Sequence, residues 1–304
     1  MCISRILLGI IATLTITIVN AEEYKMIVSF PAGSQTDAVA RLLQNSIEKN
    51  THDHIVVVNL PGADQTIGAI KFKTDPNYDI ILSSSSQDIF VPIIKSNPGY
   101  SFSDFDNTLY VGTSPSVWVV RNDSEIKTIG DMLKYMPSLV GGYAQSYNTN
   151  VLAVTNKYNK QIDIVSYKGG NEVIMDIVNG SLKLGIVAVT PTLIQLVKDG
   201  RLRIIGTTYK NDVTIDDIFI QSTTRKMGIH GFNGFIGVDL RPTADSARKE
   251  KLKNLLWAAI KDPETIIGLK RLYILPDATD DKEWIDHFYK HYRERVKEFY
   301  RLPG

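Results

Sequence analysis

Tyr24-Lys25-Met26-Ile27-Val28-Ser29-Phe30-Pro31-Ala32-Gly33-Ser34-Gln35-Thr36-Asp37 is the run that decides the fold class. Its first half, Tyr24 to Phe30, is β-branched and aromatic, the signature of a strand. Pro31 to Gln35 breaks it. Beyond Asp37 the period changes from two to 3.6. Val39, Leu42, Leu43 and Ile47 fall on one face of a helix, and Thr36 or Asp37 is placed to cap it. A strand, a tight loop of small residues and a helix form the repeating unit of an α/β protein.

The rhythm continues outward. Strands are predicted at Ile55–Val58, Ile80–Leu82, Val117–Val120, Ile162–Val165, Leu184–Val189 and Leu202–Ile205. Helices are predicted at Ile67–Lys73, Ile129–Met136, Asn150–Tyr158, Asn171–Asn179 and Pro191–Asp199. Gly180 and Gly200 each follow a helix, where a left-handed stop residue is wanted. This alternation predicts parallel sheets covered on both faces. From Thr243 to Arg301 the pattern is mostly helical, broken at Pro263 and Pro276. The last helix carries a stripe of Trp284, Ile285, Phe288, Tyr289 and Tyr292.

At 304 residues the chain has room for two compact units, and 43% hydrophobic residues can fill their cores. The 34 basic and 33 acidic residues are interspersed, without the basic stripe of a nucleic-acid protein. Arg5, the apolar run Ile6–Val19 and the exit Val19-Asn20-Ala21 read as a secretory signal, residues 1–21. The apolar run is shorter than the ~20 residues of a membrane-spanning helix. Cleavage after Ala21 leaves 33 basic and 33 acidic residues and removes Cys2, the single cysteine. The exported chain is then expected to have no disulfide, thiolate metal site or cysteine nucleophile.

Ligands of open α/β sheets bind at strand carboxyl ends beside helix N-termini. Four segments fit. The first, Phe30–Asp37, offers Phe30, Ala32, Gly33, Ser34, Thr36 and Asp37, with small residues that let backbone N–H groups approach a guest. The second is Ser83–Gln87, with Ser84 and Ser85. The third, Gly142–Thr149, offers Tyr143, Gln145, Ser146, Asn148 and Thr149. The fourth, Tyr167–Asn171, offers Tyr167, Lys168 and Gly169. Backbone N–H groups and hydroxyls of this kind suit a carboxylate. Lys168 is the one cation in these loops, either a ligand contact or a solvated lysine. Phe30 and Tyr167 either pack on the ligand's carbon skeleton or serve core and hinge.

Several ordered motifs carry a family resemblance. Ile27 to Arg41 resembles the opening motif of the tripartite tricarboxylate transporter substrate-binding family, also called Bug receptors. Asn59-Leu60-Pro61-Gly62-Ala63 with Ile67-Gly68-Ala69 is similar to its second motif. Val111–Pro115, Tyr167–Gly170, Gly200–Arg203 and Gly228–Phe232 also match, nearly the whole length beyond Lys25. The chain departs from the pattern at Ser34, where the family has a glycine. A second departure is Tyr143–Thr149, where it has a glycine-rich loop followed by histidine.

The resemblance implies an α/β type II periplasmic-binding fold: two lobes joined by two crossover strands, with a cleft between them. Lobe 1 is expected over 22–110 plus 235–304, and lobe 2 over 111–234. The implied activity is capture of a small organic carboxylate in the periplasm, without a cofactor, and delivery by a monomer to membrane transporter subunits. A sensing subunit of a membrane signalling protein would share the fold. An exported serine hydrolase is the other reading, but Gly-x-Ser-x-Gly and Ser-x-x-Lys are both absent. His287 and His291, four apart on the last helix, have a metal-capable spacing without an obvious third ligand.

Overall fold

The computed structural model describes residues 21–242, 245–275 and 277–301. Most of the signal segment, together with Thr243 and Pro276, lies outside the described residues. The first part of the chain runs β1 (Glu23–Val28), α1 (Gln35–Asn50), β2 (His54–Asn59), α2 (Thr66–Thr74), β3 (Ile80–Ser84), a π-helical turn (Ser86–Phe90), α3 (Val91–Ile94) and β4 (Asp106–Ser114). The second part runs β5 (Ser116–Arg121), α4 (Ile129–Lys134), β6 (Leu139–Gly142), α5 (Gln145–Tyr158), β7 (Asp163–Ser166), α6 (Gly170–Asn179), β8 (Gly185–Ala188), α7 (Pro191–Lys198) and β9 (Leu202–Thr207). A hairpin of β10 (Val213–Ile215) and β11 (Ile218–Ile220) and a short α8 (Thr223–Met227) follow. The chain then returns through β12 (Gly234–Leu240) and ends in α9 (Ser246–Lys261), α10 (Pro263–Arg271) and α11 (Lys282–Arg301).

Two five-stranded sheets result, in the orders β2-β1-β3-β12-β4 and β7-β6-β8-β5-β9. Each is the middle layer of one lobe. Alternate side chains of a strand point to opposite faces, so a strand covered on both sides is apolar throughout. In β1, Tyr24, Met26 and Val28 meet α1, α9 and α10, while Ile27 joins Phe72, Ile81 and Phe105 on the other face. In β5, Trp118 and Val120 pack toward α5, and Val117 and Val119 toward α6 and α7.

The sheets are mixed, which corrects the all-parallel expectation. β1, β2 and β3 are parallel, as are β6, β7 and β8. β12 runs antiparallel to both β3 and β4, and β5 antiparallel to both β8 and β9. The cause is the exchange of strands between lobes. The chain leaves the first sheet at Ser114, turns at Pro115 and enters the second at Ser116. It comes back as β12, which pairs Gly234 with Ser114. The first sheet thus runs on past the expected division at Tyr110.

α11 crosses both crossover strands. Its Ile285, Tyr289 and Val296 are buried with Tyr110, Phe232 and Phe235, and Phe299 reaches the core of lobe 2. Gly237 of β12 makes room for it: a Cβ there would sit 2.7 Å from the Tyr289 hydroxyl.

Candidate functional site

The carboxyl ends of β1, β3, β6 and β8 face one another across the cleft, and a cavity of about 220 Å³ lies among the loops that follow them. Ligand pockets commonly measure ~300–1,000 Å³, so this one suits a small guest.

The lobe 1 wall is built from the opening loop. Ser34, not Thr36 or Asp37, is the N-cap of α1: its hydroxyl accepts from the Asp37 N–H at 3.2 Å. The caps expected one turn later fail because the helix already begins at Gln35. Asp37 is buried and turned away from the cavity. It accepts from the Gly33 N–H (2.9 Å), Asn59 Nδ2 (2.9 Å) and Arg41 (3.3 Å), so it braces the loop from behind. Gly33 has φ +77°, and its N–H is engaged with Asp37. The N–H groups of Ala32, Gln35 and Thr36, all on cavity-lining residues, have no acceptor among the described residues. Those are the donors a guest would meet, at the positive end of a 16-residue helix.

Next along the wall is Ser84–Ser86. Ser84 Oγ donates to Gln65 Oε1, while Ser86 Oγ accepts from the Ser146 N–H of lobe 2 at 3.0 Å. Ser86 thus ties the lobes together. Gln35 does so too: Ser114 Oγ donates to its Oε1 at 2.6 Å, and its Nε2 donates to Val189 O (2.9 Å) and Leu272 O (2.8 Å). Nothing in the composition of the loop marks Gln35 for this role; it follows from where β8 ends.

The lobe 2 wall differs from expectation. Gln145 to Thr149 form the first turn of α5 rather than a loop. That turn directs side chains around the helix, so only some face the cavity. Ser146 lines it, as do Tyr143, Ala144 and Tyr147. Gln145 points sideways and donates to Asp64 at 3.1 Å. Asn148 is buried against Gly142, and its Oδ1 has no partner among the described residues. Thr149 lies behind, sharing a hydrogen bond with the Tyr300 hydroxyl at 2.8 Å. Tyr143 and Tyr147 pack together with ring centroids 4.6 Å apart, and Phe30 of lobe 1 meets Tyr143 edge-on at 6.4 Å. Burial pushes both phenol pKa values up, so both are neutral.

The fourth predicted loop contributes its glycine. Gly169 lines the cavity with Gly170, Asn171 and Glu172 at the start of α6. Tyr167 instead donates to Asp176 at 2.6 Å, and Lys168 is exposed. Both line a neighbouring groove with Ser29, Gly62, Ala63, Asp64 and Gln65. That groove borders a strained turn: Ala63, Asp64 and Gln65 all have left-handed φ, 48°, 55° and 72°.

The cavity therefore gathers Phe30, Ala32, Ser34, Thr36, Ser84, Ser85, Tyr143, Ser146 and Gly169 of the sequence candidates. Gly33, Asp37, Gln145, Asn148, Thr149, Tyr167 and Lys168 lie outside its lining. Sequence reasoning included Gln35, Ser86, Tyr147 and Asn171 in its four segments without singling them out, and it missed Ser114, Thr190 and Phe235 as site residues. The N-cap pattern Thr190-Pro191 was a usable signal, since Thr190 Oγ1 accepts from Leu193 N–H and caps α7 beside the cavity. No Lys, Arg or His side chain is in the lining, and Glu172 is its one acid. His287 and His291 stack on the exposed face of α11 with centroids 5.6 Å apart; among the described residues no cluster of three metal-ligating side chains exists.

Behind the serine turn lies a buried acid pair. Asp88 accepts from the Tyr289 hydroxyl (3.1 Å) and Asp239 from Asn107 Nδ2 (2.8 Å). Burial pushes Asp88 well above the usual carboxylate range, and Asp239 up to about 7. Asp239 Oδ2 and Ser83 Oγ have no hydrogen-bond partner among the described residues.

Comparison with known proteins agrees with this geometry. A family model described as "Tripartite tricarboxylate transporter family receptor" matches residues 39–283. An Agrobacterium vitis protein, "UPF0065 protein in the TAR-I ttuE-ttuC' intergenic region", is 26% identical over 260 residues, 82% of this chain and 74% of its own. The structure of periplasmic binding protein BugD superposes with a TM-score of 0.80 at 21% identity, over 92% of this chain and 97% of the other. R. palustris Rpa4515 with adipate gives a TM-score of 0.80 at 17% identity, over 91% and 96%. Two α/β lobes, two crossovers and a cleft at the strand ends are thus shared with periplasmic binding proteins, and the chain belongs to the tripartite tricarboxylate transporter receptor family.

Proposed function

We propose that the protein is a periplasmic receptor that closes on a small organic carboxylate and passes it to a membrane transporter of the tripartite tricarboxylate type. One observation carries this reading. The N-termini of α1, α5, α6 and α7 all reach one cavity whose lining contains no cationic side chain. Partial positive charge from helix ends, with free N–H groups and serine hydroxyls, favours an oxyanion there. The adipate in Rpa4515 is a carboxylate in a relative of the same fold. Ala32, Thr36 and Ser85 are assigned as contacts from lobe 1, and Ser146 and Gly169 as contacts from lobe 2. Phe30 and Tyr143 pack on the carbon skeleton.

In this reading residues 1–21 export the chain, and the lobes divide near Pro115 and Asn233. Binding selects the closed form because the guest touches both lobes at once. Ser84 bonds Gln65 and Ser86 bonds Ser146, so neither serine is paired with a base, which supports binding over hydrolysis.

The test begins with mass spectrometry of whatever the purified protein releases on denaturation. A panel of C2 to C8 carboxylates is then scanned by thermal melting. At least one acid should raise Tm, since a ligand at 100 Kd adds ~2.7 kcal/mol. No shift at millimolar concentrations of any acid would refute the receptor.

A further inference from the structure

We propose that Tyr143 sets the length of the guest by dividing the interlobe cleft into two chambers, so that the protein takes short carboxylates and excludes longer ones. The proposal rests on the receptor reading above and adds the substrate class. The first chamber is the 220 Å³ cavity. The second is the groove lined by Ser29, the turn Gly62–Gln65, Ser166, Tyr167 and Lys168. Tyr143 is the residue common to both linings.

The ring is held from several directions. Phe30 meets it edge-on from lobe 1. Tyr147 packs on it from α5. Its hydroxyl accepts from the Ala188 N–H at 3.3 Å. A Cβ at Gly170 would lie 3.1 Å from its Cε1, so the missing side chain there is what lets the ring lie where it does. Part of this clamp comes from each lobe, so the partition is set in the closed form. A rigid aromatic wall limits length more sharply than a flexible side chain, because displacing it disturbs packing in both lobes.

The second chamber has its own chemistry. It holds Lys168, an exposed cation whose ammonium has no acidic partner among the described residues. It also holds the Gln65 amide, whose buried Nε2 has no acceptor among the described residues. Without the ring, the distal carboxylate of a longer diacid could reach these donors.

The experiment is a chain-length series of α,ω-dicarboxylates from malonate to suberate, titrated calorimetrically against wild type and four variants. Wild type should bind a three- or four-carbon member at least tenfold more tightly than adipate or suberate. Tyr143→Phe should keep that order, because the ring and not the hydroxyl forms the wall. Tyr143→Ala should gain at least tenfold for adipate or suberate. Tyr143→Leu, which retains apolar packing, should show the same trend and serves if the alanine variant does not fold. In the double variant Tyr143→Ala/Lys168→Ala the gain should fall by at least threefold. Wild type that binds suberate as tightly as succinate would overturn the proposal. So would unchanged length preference in both shortened variants while succinate still binds, a result that leaves the receptor reading standing. Loss of binding for every acid in wild type would instead sink the receptor reading, and this proposal with it.

Discussion

Two strand–loop–helix corners face each other across the cavity, Phe30–Asp37 in lobe 1 and Gly142–Asn148 in lobe 2, and they spend their side chains differently. The first keeps its walls thin. Gly33 and Ala32 carry little bulk, Ser34 caps the helix, and the braced carboxylate of Asp37 stands behind the loop. The second fills its space with Tyr143 and Tyr147 and begins α5 without a side-chain cap. One corner presents backbone donors; the other shapes the room left for a guest. Equivalent topology therefore does not imply equivalent work: what faces the ligand depends on which polar groups the corner has already satisfied internally.

The largest predicted effect tests the brace. Asp37→Ala deletes a buried carboxylate that accepts from the Gly33 N–H, Asn59 Nδ2 and Arg41. Hydrogen bonds to a charged group are worth ~1.5–3 kcal/mol each, and these are discounted because Gly33 is exposed and Asn59 Nδ2 keeps its bond to Phe30 O, so the loss is about 3 kcal/mol and Tm falls by about 6–12 °C. Ligand affinity should fall as the loop relaxes. A melt within about 2 °C of wild type, by differential scanning calorimetry, would break the contrast by showing that the opening loop holds itself.

Gln35→Ala comes next, because Gln35 carries the first corner's contact with lobe 2. Three hydrogen bonds are lost, each worth ~0.5–1.5 kcal/mol. One of them, to Val189 O, joins groups that separate when the lobes open, so the expected result is about 2–3 kcal/mol shared between stability and closure. Small-angle scattering should show a larger radius of gyration without ligand, and ligand dissociation should quicken. Unchanged scattering and dissociation would assign closure to Ser86 and Ser146 alone.

How much of this was readable in advance divides along the same line. The strand–helix alternation was legible because β1, β3, β5 and β8 each hold a buried apolar run, Met26–Val28, Ile80–Leu82, Val117–Val120 and Ile186–Ala188. β4, β6 and β12 were not among the predicted strands. Asp106–Ser114 mixes polar and apolar residues, Leu139–Gly142 ends in two glycines, and Gly234–Leu240 is strand only because it pairs with β3 and β4, distant in sequence. The opening loop could be read because its breakers are local. The start of α5 could not: Ala144 is no capping residue, and Asn148 and Thr149 are poor helix formers that tertiary burial holds in place. Which loop residues face the cavity depends on helix phase and on contacts such as Gln145 with Asp64, between residues 81 apart in the chain.

Asp239 sharpens the contrast from the crossover strand. Asp37 is saturated with donors, whereas one oxygen of Asp239 has none among the described residues. Burial raises the Asp239 pKa from 3.8 to about 7, with the Asp106 charge adding to it and Asn107 and Lys282 opposing it. A raised acid pKa means the folded state keeps its proton longer than the unfolded chain. Stability is therefore fullest at low pH and declines as pH rises from about 4 through about 7. Asp88 lies beside Asp239 and titrates with it. Asp239→Asn removes the charge that high pH forces on this buried site, so the variant should be more stable than wild type at pH 8. Its Tm should rise there, and the gap should close as pH falls to about 4 and below. Parallel pH–Tm curves for wild type and variant would remove the acid pair as the cause.

The smallest effect separates a glycine needed for shape from one needed for ligand approach. By sequence, Gly33 reads as the point where a backbone N–H meets the guest, and a bulky residue there should abolish binding. The structure turns that N–H toward Asp37, and a Cβ at Gly33 would meet nothing within 4 Å. What remains is φ +77°, a conformation costing a non-glycine residue about 1–2 kcal/mol. Gly33→Ala should thus lower Tm by a few degrees and weaken binding less than tenfold, since the donors at Ala32, Gln35 and Thr36 stay in place. Gly33→Asn, a residue that tolerates the left-handed region, should recover most of the stability. A loss of binding beyond a hundredfold in both variants, with Tm preserved, would return Gly33 to the ligand's surface and make the two corners less unlike than they look.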